Sequence, residues 1–480
     1  MTEHFPLMIT GPESTGNFKV TSPYHGAVLA TVEQCGEQHI EEALALAFAT
    51  FRDRDAWPSV AERRDILERT ASLMQDQAEA LALGAAAEGG KPLMDSRVEV
   101  SRAIEGVKMC AEHISAHAGE VIPLQEPQPN TMRMGFTQKE PIGVVVSVSA
   151  FNHPLNLIVH QVGAAIAAGC PVIVKPAEDT PLSCLRFVKL LREAGLPEAW
   201  CQVALPESLT LASTLVTDSR VAFFSFIGSA RVGWMLRSKL APGTRCALEH
   251  GGVAPVIVDE TADLDKAVPA ILKGGFYHAG QVCVSVQRVF AHHSIAKELS
   301  ERLVSGANAL KVGDPLDEET EVGPLIRPAE IARIDSWIQE AVTAGAAALC
   351  GAYAMDNNCY APTVLYNPSP LVAVSTREIF GPLVCVYEYH DVNTAIDAAN
   401  DLEVAFQAAV FSQDIDRAMH IYQRIDASAV MINDHTAFRQ DGMPFAGLRQ
   451  SGLGVGGIGH TIDDMQIDKM LMIKATQTPG

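Results

Sequence analysis

The feature that most restricts how this chain can fold is an alternation that begins at Pro141: apolar runs of strand length, separated by longer stretches with helical period. "PIGVVVSVSAF" is short, β-branched and bounded by turn formers, which predicts a buried strand. A helix from about Pro154 to Ala168 follows, then "PVIVKPA" as a second strand. In "PLSCLRFVKLLREAG", Leu182, Leu185, Val188 and Leu191 recur at helical spacing and Gly195 stops the helix. "VAFFSFIGSARVG" repeats the pattern, and "APVIVDETADLDKAVPAILKGGFYHAGQ" opens another strand and helix. Strands joined by crossover helices lie parallel, so the chain reads as α/β of the doubly wound class. At 480 residues it exceeds one compact core.

Charge narrows the partners. Lys and Arg total 36 against 57 Asp and Glu, a net charge of -21 that repels nucleic acid. The stretch Leu157–Val174 is interrupted by His160, Gln161, Gly169 and Pro171, which argues against a membrane span. The start carries no basic segment followed by an apolar one, so no secretory leader is expected. Ten cysteines lie scattered without a close pair, the pattern of a reduced, cytoplasmic protein. His113 and His117 stand four apart but lack a third ligand nearby, so no metal site is expected. "TMRMGFTQ" alternates like a hairpin arm, and "DMQIDKMLMIKATQT" alternates like an edge strand with no obvious partner in its own chain. Pairing with another subunit is the expectation. Gly452, Gly454 and Gly457 spell the dinucleotide fingerprint, yet no strand precedes them and no helical pattern follows, so they read as a flexible loop.

The segment "HAGQVCVSVQRV" sets Cys283 behind a glycine and a glutamine. A thiol nucleophile needs a base, an oxyanion site and a way to break the thioester it forms. Asn152, just past a strand's carboxyl end, is a candidate oxyanion donor beside the cysteine's own N–H. Glu249, before two glycines, is a candidate to activate water. Taken singly, each residue has an ordinary reading as a buried small hydrophobe, a turn former or a solvated acid.

The motifs "FNHPLN", "VIVKPAEDTP", "FSFIGSARVG", "LEHGG", "GQVC", "EIFGP" and "MPFAGLRQSGLG", in that order, make the chain closely resemble the aldehyde dehydrogenase superfamily over nearly its whole length. The resemblance implies an aldehyde dehydrogenase-like α/β fold with a Rossmann-like NAD-binding domain (1–118 and 141–249), a catalytic domain (250–440) and a β-hairpin oligomerisation arm (119–140 and 456–480). It implies Cys283 as nucleophile, Asn152 as oxyanion donor and Glu249 as general base, with a thioester released by hydrolysis. For the cofactor it implies Lys175 and Glu178 at the adenosine ribose, Ser229 at the pyrophosphate, Glu378 at the nicotinamide ribose and Phe380 beside the ring, with Val148, Ser149 and Gly228 lining the site. A carboxylate at Glu178 opposes a ribose 2′-phosphate, so NAD is favoured, while Lys175 leaves room for NADP. A homodimer or homotetramer is implied.

Departures from the family bear on the substrate. His250 stands where leucine is usual, and "CQVALPESLTLAS" replaces a glycine-bearing loop. His153 and His160 lie where many relatives carry large aromatic or apolar residues, Val282 precedes the nucleophile, and "TAFRQDGMPF" brings Phe438, Arg439 and Phe445 to the aldehyde pocket. Relatives acting on phosphonoacetaldehyde have an arginine near the position of Arg439, but also one where this chain has Val282. Arg439 therefore has two readings: an anchor for an anionic aldehyde, or a loop residue paired with Asp434 or Asp441. A small neutral or hydroxylated aldehyde of the lactaldehyde kind is the other substrate expectation, and a non-catalytic member of the fold is the alternative to an enzyme.

Overall fold

The structure is a computed structural model that describes residues 3–116, 119–124 and 133–474. The alternation read from the sequence becomes two sheets. The first has six strands in the order Gly452–Leu453, Arg245–Glu249, Val221–Ile227, Val144–Val148, Val172–Lys175 and Cys201–Val203, all parallel except the first. After Cys201–Val203 the chain crosses to the far side of Val144–Val148, so the strand order reverses there. A crevice opens outside the carboxyl ends of strands at such a switch point. Asn152, the Lys175–Glu178 turn, Ser229 and Glu249 all follow or close those ends.

The second sheet has seven strands in the order Ala347–Cys350, Thr363–Tyr366, Leu383–Tyr389, Val286–His292, Ala254–Val258, Gln407–Phe411 and Ala429–Ile432, parallel apart from the first. Cys283 stands just before Val286–His292, and Glu378 and Phe380 just before Leu383–Tyr389. The second sheet thus offers its strands' amino ends to the crevice of the first.

Three sequence expectations change. The helix expected over Pro154–Ala168 begins at Asn156 and widens into a π segment over Val159–Gly163 before continuing to Ala168. Such bulges cluster at functional sites, and this one carries His160 and Gln161. The glycines at 452, 454 and 457 are packed rather than loose: Gly452–Leu453 pairs with Arg245–Glu249, and a Cβ at Gly457 would stand 2.6 Å from the Met443 carbonyl oxygen. They start a short helix, Ile458–Asp464, that the polar sequence hides. The C-terminal strand Gln466–Lys474 has a partner in its own chain after all, pairing antiparallel with Arg133–Pro141 over nine residues. Ile458, Ile462 and Met465, ahead of it, are buried in the core beneath the first sheet. His117 and residues 125–132 and 475–480 lie outside the described residues. His113 faces Asp463 at 3.8 Å. Among the described residues no helix is long and apolar enough to cross a membrane.

The paired arm generates a prediction. Ending the chain after Met465 strips one whole edge of Arg133–Pro141, where only Gly135 and Phe136 keep a strand partner, in Val121–Ile122, and leaves an open edge that templates association. The truncated protein should melt at lower temperature and scatter light on heating, as followed by circular dichroism and light scattering; an unchanged melt would show that the arm contributes nothing to the fold.

Candidate active site

One cavity of about 1180 Å³ lies where the two sheets face each other, and every residue singled out above for catalysis, cofactor or substrate, apart from Phe438, lines it. Phe438 is exposed to solvent instead.

Cys283 reaches the cavity by a forced path. After the helix Leu264–Phe276 the chain passes through three consecutive left-handed residues, His278 (φ 50°), Ala279 (φ 53°) and Gly280 (φ 69°). Only glycine fits the third, because a Cβ there would stand 2.1 Å from the Gly381 carbonyl oxygen. Gln281 locks the reversal: its amide donates to the carbonyls of Pro324 (3.2 Å) and His278 (3.3 Å) and accepts from the Ile326 N–H (3.0 Å). The glycine and glutamine ahead of the cysteine are therefore the device that aims it.

Asn152 is buried and donates one amide hydrogen to the Gln281 carbonyl at 2.9 Å, which leaves the second for the cavity. Glu249 closes its strand, and Gly456 lies so near that a Cβ there would come 2.2 Å from the carboxylate. Burial pushes Glu249 up to about 7, with Arg439 pulling the other way. Burial, Glu378 and Glu249 push the Cys283 thiol above its ordinary value, so the resting group is SH rather than thiolate. A base beside it is chemically required.

At the other end Lys175 Nζ lies 3.3 Å from Glu178 Oε1 and donates to the Pro176 carbonyl at 3.3 Å. Ser229 precedes the helix Ala230–Arg237 and its carbonyl takes the Val232 and Gly233 N–H groups, but its hydroxyl caps nothing and lines the cavity. His250 braces that turn by donating through Nδ1 to the Gly228 carbonyl at 2.8 Å, its ring between Phe226 and Trp234. Phe380 takes a left-handed φ of 47° and sets its ring edge-on to Phe151. Glu378 Oε1 and Ser149 Oγ are buried with no hydrogen-bond partner among the described residues, and burial pushes Glu378 up to about 8. Unpaired polar atoms of this kind along an elongated cavity fit a dinucleotide, which would supply their missing bonds.

The aldehyde end is polar. His153 Nε2 hydrogen-bonds the Tyr277 hydroxyl, and burial together with Lys91 and Arg102 holds this imidazole well below its ordinary pKa. Asp441 takes hydrogen bonds from Arg102 (2.7 and 3.0 Å), His160 (2.7 Å) and Asn156 (3.0 Å). Arg439 pairs with neither Asp434 nor Asp441: its guanidinium lies over Phe445, 3.8 Å from the ring centroid, and donates weakly to the Met443 carbonyl at 3.4 Å. Arg102 and Tyr277 line the cavity and were missed from sequence. Arg102 sits in a helix 339 positions before its partner, and nothing local marks it.

Residues 9–471 match the Aldehyde dehydrogenase family. The 3-sulfolactaldehyde dehydrogenase of Priestia megaterium is 37% identical over 473 residues, 98% of each chain. The crystal structure of aldehyde dehydrogenase 21 from Physcomitrella patens, in complex with the reaction product succinate, superposes with a TM-score of 0.95 at 32% identity and full coverage of both chains. That of glyceraldehyde-3-phosphate dehydrogenase from Methanocaldococcus jannaschii, complexed with NADP, does so with a TM-score of 0.91 at 33% identity, covering 96% of this chain and 100% of that one. This chain belongs to the aldehyde dehydrogenase family. It is an oxidoreductase that acts on aldehydes with a nicotinamide dinucleotide, as its motifs imply.

Asp441 generates a prediction. Burial works against its carboxylate, yet the His160 and Arg102 bonds hold it well below the usual range. A depressed pKa contributes stability above the unfolded value and loses it only as pH falls through the folded one. Asp441→Asn leaves Arg102 and His160 without their anion and should cost roughly 3 kcal/mol, read as a lower melting temperature at pH 7. The gap should persist to about pH 4 and close in stronger acid; a gap that closes near neutrality would assign it to another group.

Proposed function

We propose that this enzyme oxidises a small anionic aldehyde to its free acid with NAD, and that Arg439 recognises the anionic end. The observation that carries this is a guanidinium in the wall of the cavity that holds the thiol, with no carboxylate bonded to it among the described residues. Arg102 stands on the same wall, but Asp441 already neutralises it. A sulfonate-bearing aldehyde and succinate figure among the relatives above, which supports the reading.

The chemistry follows from the resting state of the groups. Glu249 takes the Cys283 proton as sulfur attacks the aldehyde carbon, so no buried thiolate has to wait for substrate. The free amide hydrogen of Asn152 and the Cys283 N–H hold the oxyanion of the thiohemiacetal. NAD, when bound, accepts the hydride that leaves this carbon. Glu249, having lost its proton to solvent, takes one from water; the hydroxide adds to the thioester, and the carbon–sulfur bond breaks as the Glu249 proton passes to sulfur, releasing the acid and restoring the Cys283 thiol. Lys175 and Glu178 hold the adenosine ribose, Ser229 the pyrophosphate and Glu378 the second ribose. The Glu178 carboxylate sets the preference for NAD, with NADP admitted by Lys175. We assign residues 1–118 and 141–249 to a cofactor domain, which lends Asn152 and Glu249 to the chemistry, and 250–440 to a catalytic domain, which carries Cys283 and lends Glu378 and Phe380 to the cofactor.

The arm, 119–140 with 456–480, joins subunits into a homodimer or homotetramer. On Gln466–Lys474, Ile467, Met470, Leu471, Met472 and Ile473 are exposed, and a run of uncovered apolar side chains of this kind suits a contact with another subunit. Ten unpaired cysteines suit a reducing, cytoplasmic setting.

Two measurements test the core of this. Because Glu249 must be ionised to act and its pKa is raised, kcat should climb with pH along a limb centred near 7; Arg439→Ala removes the charge that pulls this value down and should move the limb upward. A limb that stays put would uncouple the two groups. For the substrate, kcat/KM is compared for an anionic aldehyde and a neutral one of similar size. Arg439→Ala should cost the anionic substrate about ten- to a hundredfold and the neutral one little. Equal losses would leave a small neutral or lactaldehyde-like substrate as the answer.

A further inference from the structure

The helix Leu93–Ala116 presents three charged residues at i, i+4 and i+7, which is one face, and each grips a different segment of the site. Asp95 accepts from Lys273 at 2.6 Å, on the helix that leads into the cysteine segment. Arg102 holds Asp441, on the loop that carries Arg439. Glu99, between them, reaches the segment of Asn152. Its Oε1 accepts the backbone N–H groups of Leu155 (2.9 Å) and Asn156 (3.0 Å), the N-cap and first residue of the helical turn that begins four residues after Asn152. Its Oε2 accepts from Lys91 Nζ. Both side chains of this pair are only 1% exposed.

A wholly buried ion pair is a poor way to add stability, since an apolar pair of the same volume does as well or better. What an apolar pair cannot do is satisfy two buried N–H groups at a chosen place. A carboxylate can, and Lys91 Nζ gives its second oxygen a donor in the same dry interior. We infer that Glu99 is a positioning residue for the oxyanion donor: it pins the turn after Asn152, while the Gln281 carbonyl pins the Asn152 amide itself. Asn152 is thereby held between two fixed points, one on each sheet's side of the cavity. An amide that must meet an oxyanion within hydrogen-bond distance loses most of its effect when its backbone drifts by an ångström.

This rests on the proposed role of Asn152, and the experiment separates the two. Lys91→Met/Glu99→Leu removes the pair without leaving a lone buried charge; Asn152→Ala removes the donor. Both changes, singly and together, are made in the full-length enzyme and assayed with saturating NAD. Removing the pair should lower kcat about tenfold, a part of the hundredfold or more that a lost oxyanion donor costs, with KM for NAD unchanged. In the Asn152→Ala background the same change should cost less than about twofold, because a positioning residue has nothing left to position. Equal losses in both backgrounds, or a wild-type kcat in the pair variant, would overturn the inference. Wild-type kcat in Asn152→Ala alone would instead sink the oxyanion reading beneath it. Lys91→Met/Glu99→Gln goes through the same cycle and decides where the first pair variant cannot fold: it keeps an oxygen for the two N–H groups without leaving a lone buried charge, so kcat should stay within about twofold of wild type, and a tenfold loss would overturn the inference.

Discussion

The reversal of the chain between Phe276 and Cys283 is the constraint on which the rest of the structure depends. A helix packed against the second sheet has to end, turn back and deliver a thiol into a crevice that belongs to the first sheet. Three successive left-handed residues cost backbone energy, and the cost persists only where the surroundings over-determine the shape. Gln281 provides that, joining the turn to Pro324 and Ile326, and its carbonyl takes the amide of Asn152. Nucleophile and neighbouring donor are thus fixed by one residue that performs no chemistry.

Desolvation then sets the electrostatics. Glu249 and Glu378 each stand close enough to Cys283 to raise its thiol, in a cavity where burial raises all three groups. Arg439 stands against this tendency, lowering both Glu249 and Cys283. The same cation is offered to the substrate in the proposed function, which couples recognition of an anion to the readiness of the base. Around this centre, Asp441 stays charged because it collects Arg102, His160 and Asn156, while Glu99 gathers Lys91 and two backbone N–H groups.

The parts of this molecule that were legible in advance are those with local periodicity or compact motifs. The parallel strands around Val144–Val148 announced themselves through β-branched runs, and the cavity residues through short segments that end strands. The packed glycines of 452–457 were misread because their strand is two residues long and the helix after them seven, too short for a pattern to register. The arm was read correctly as strands and wrongly as partnerless, since pairing between Arg133–Pro141 and Gln466–Lys474 spans more than three hundred positions and leaves no mark on either segment.

By itself the sequence determined the α/β class, the family with its chemistry, and the residues that would face one another in the cavity, because each depends on side-chain type at short spacing. Only the tertiary structure decided what those side chains touch. It put Arg439 over Phe445 rather than against Asp441, gave Asp441 to Arg102, and set Glu99 under the turn after Asn152. The Glu99 and Asp441 contacts join residues tens to hundreds of positions apart, and the energies of all three turn on sub-ångström distances and on burial. Neither quantity exists until the helix Leu93–Ala116 is packed beside the turn after Asn152 and bonded to Lys273 and Asp441.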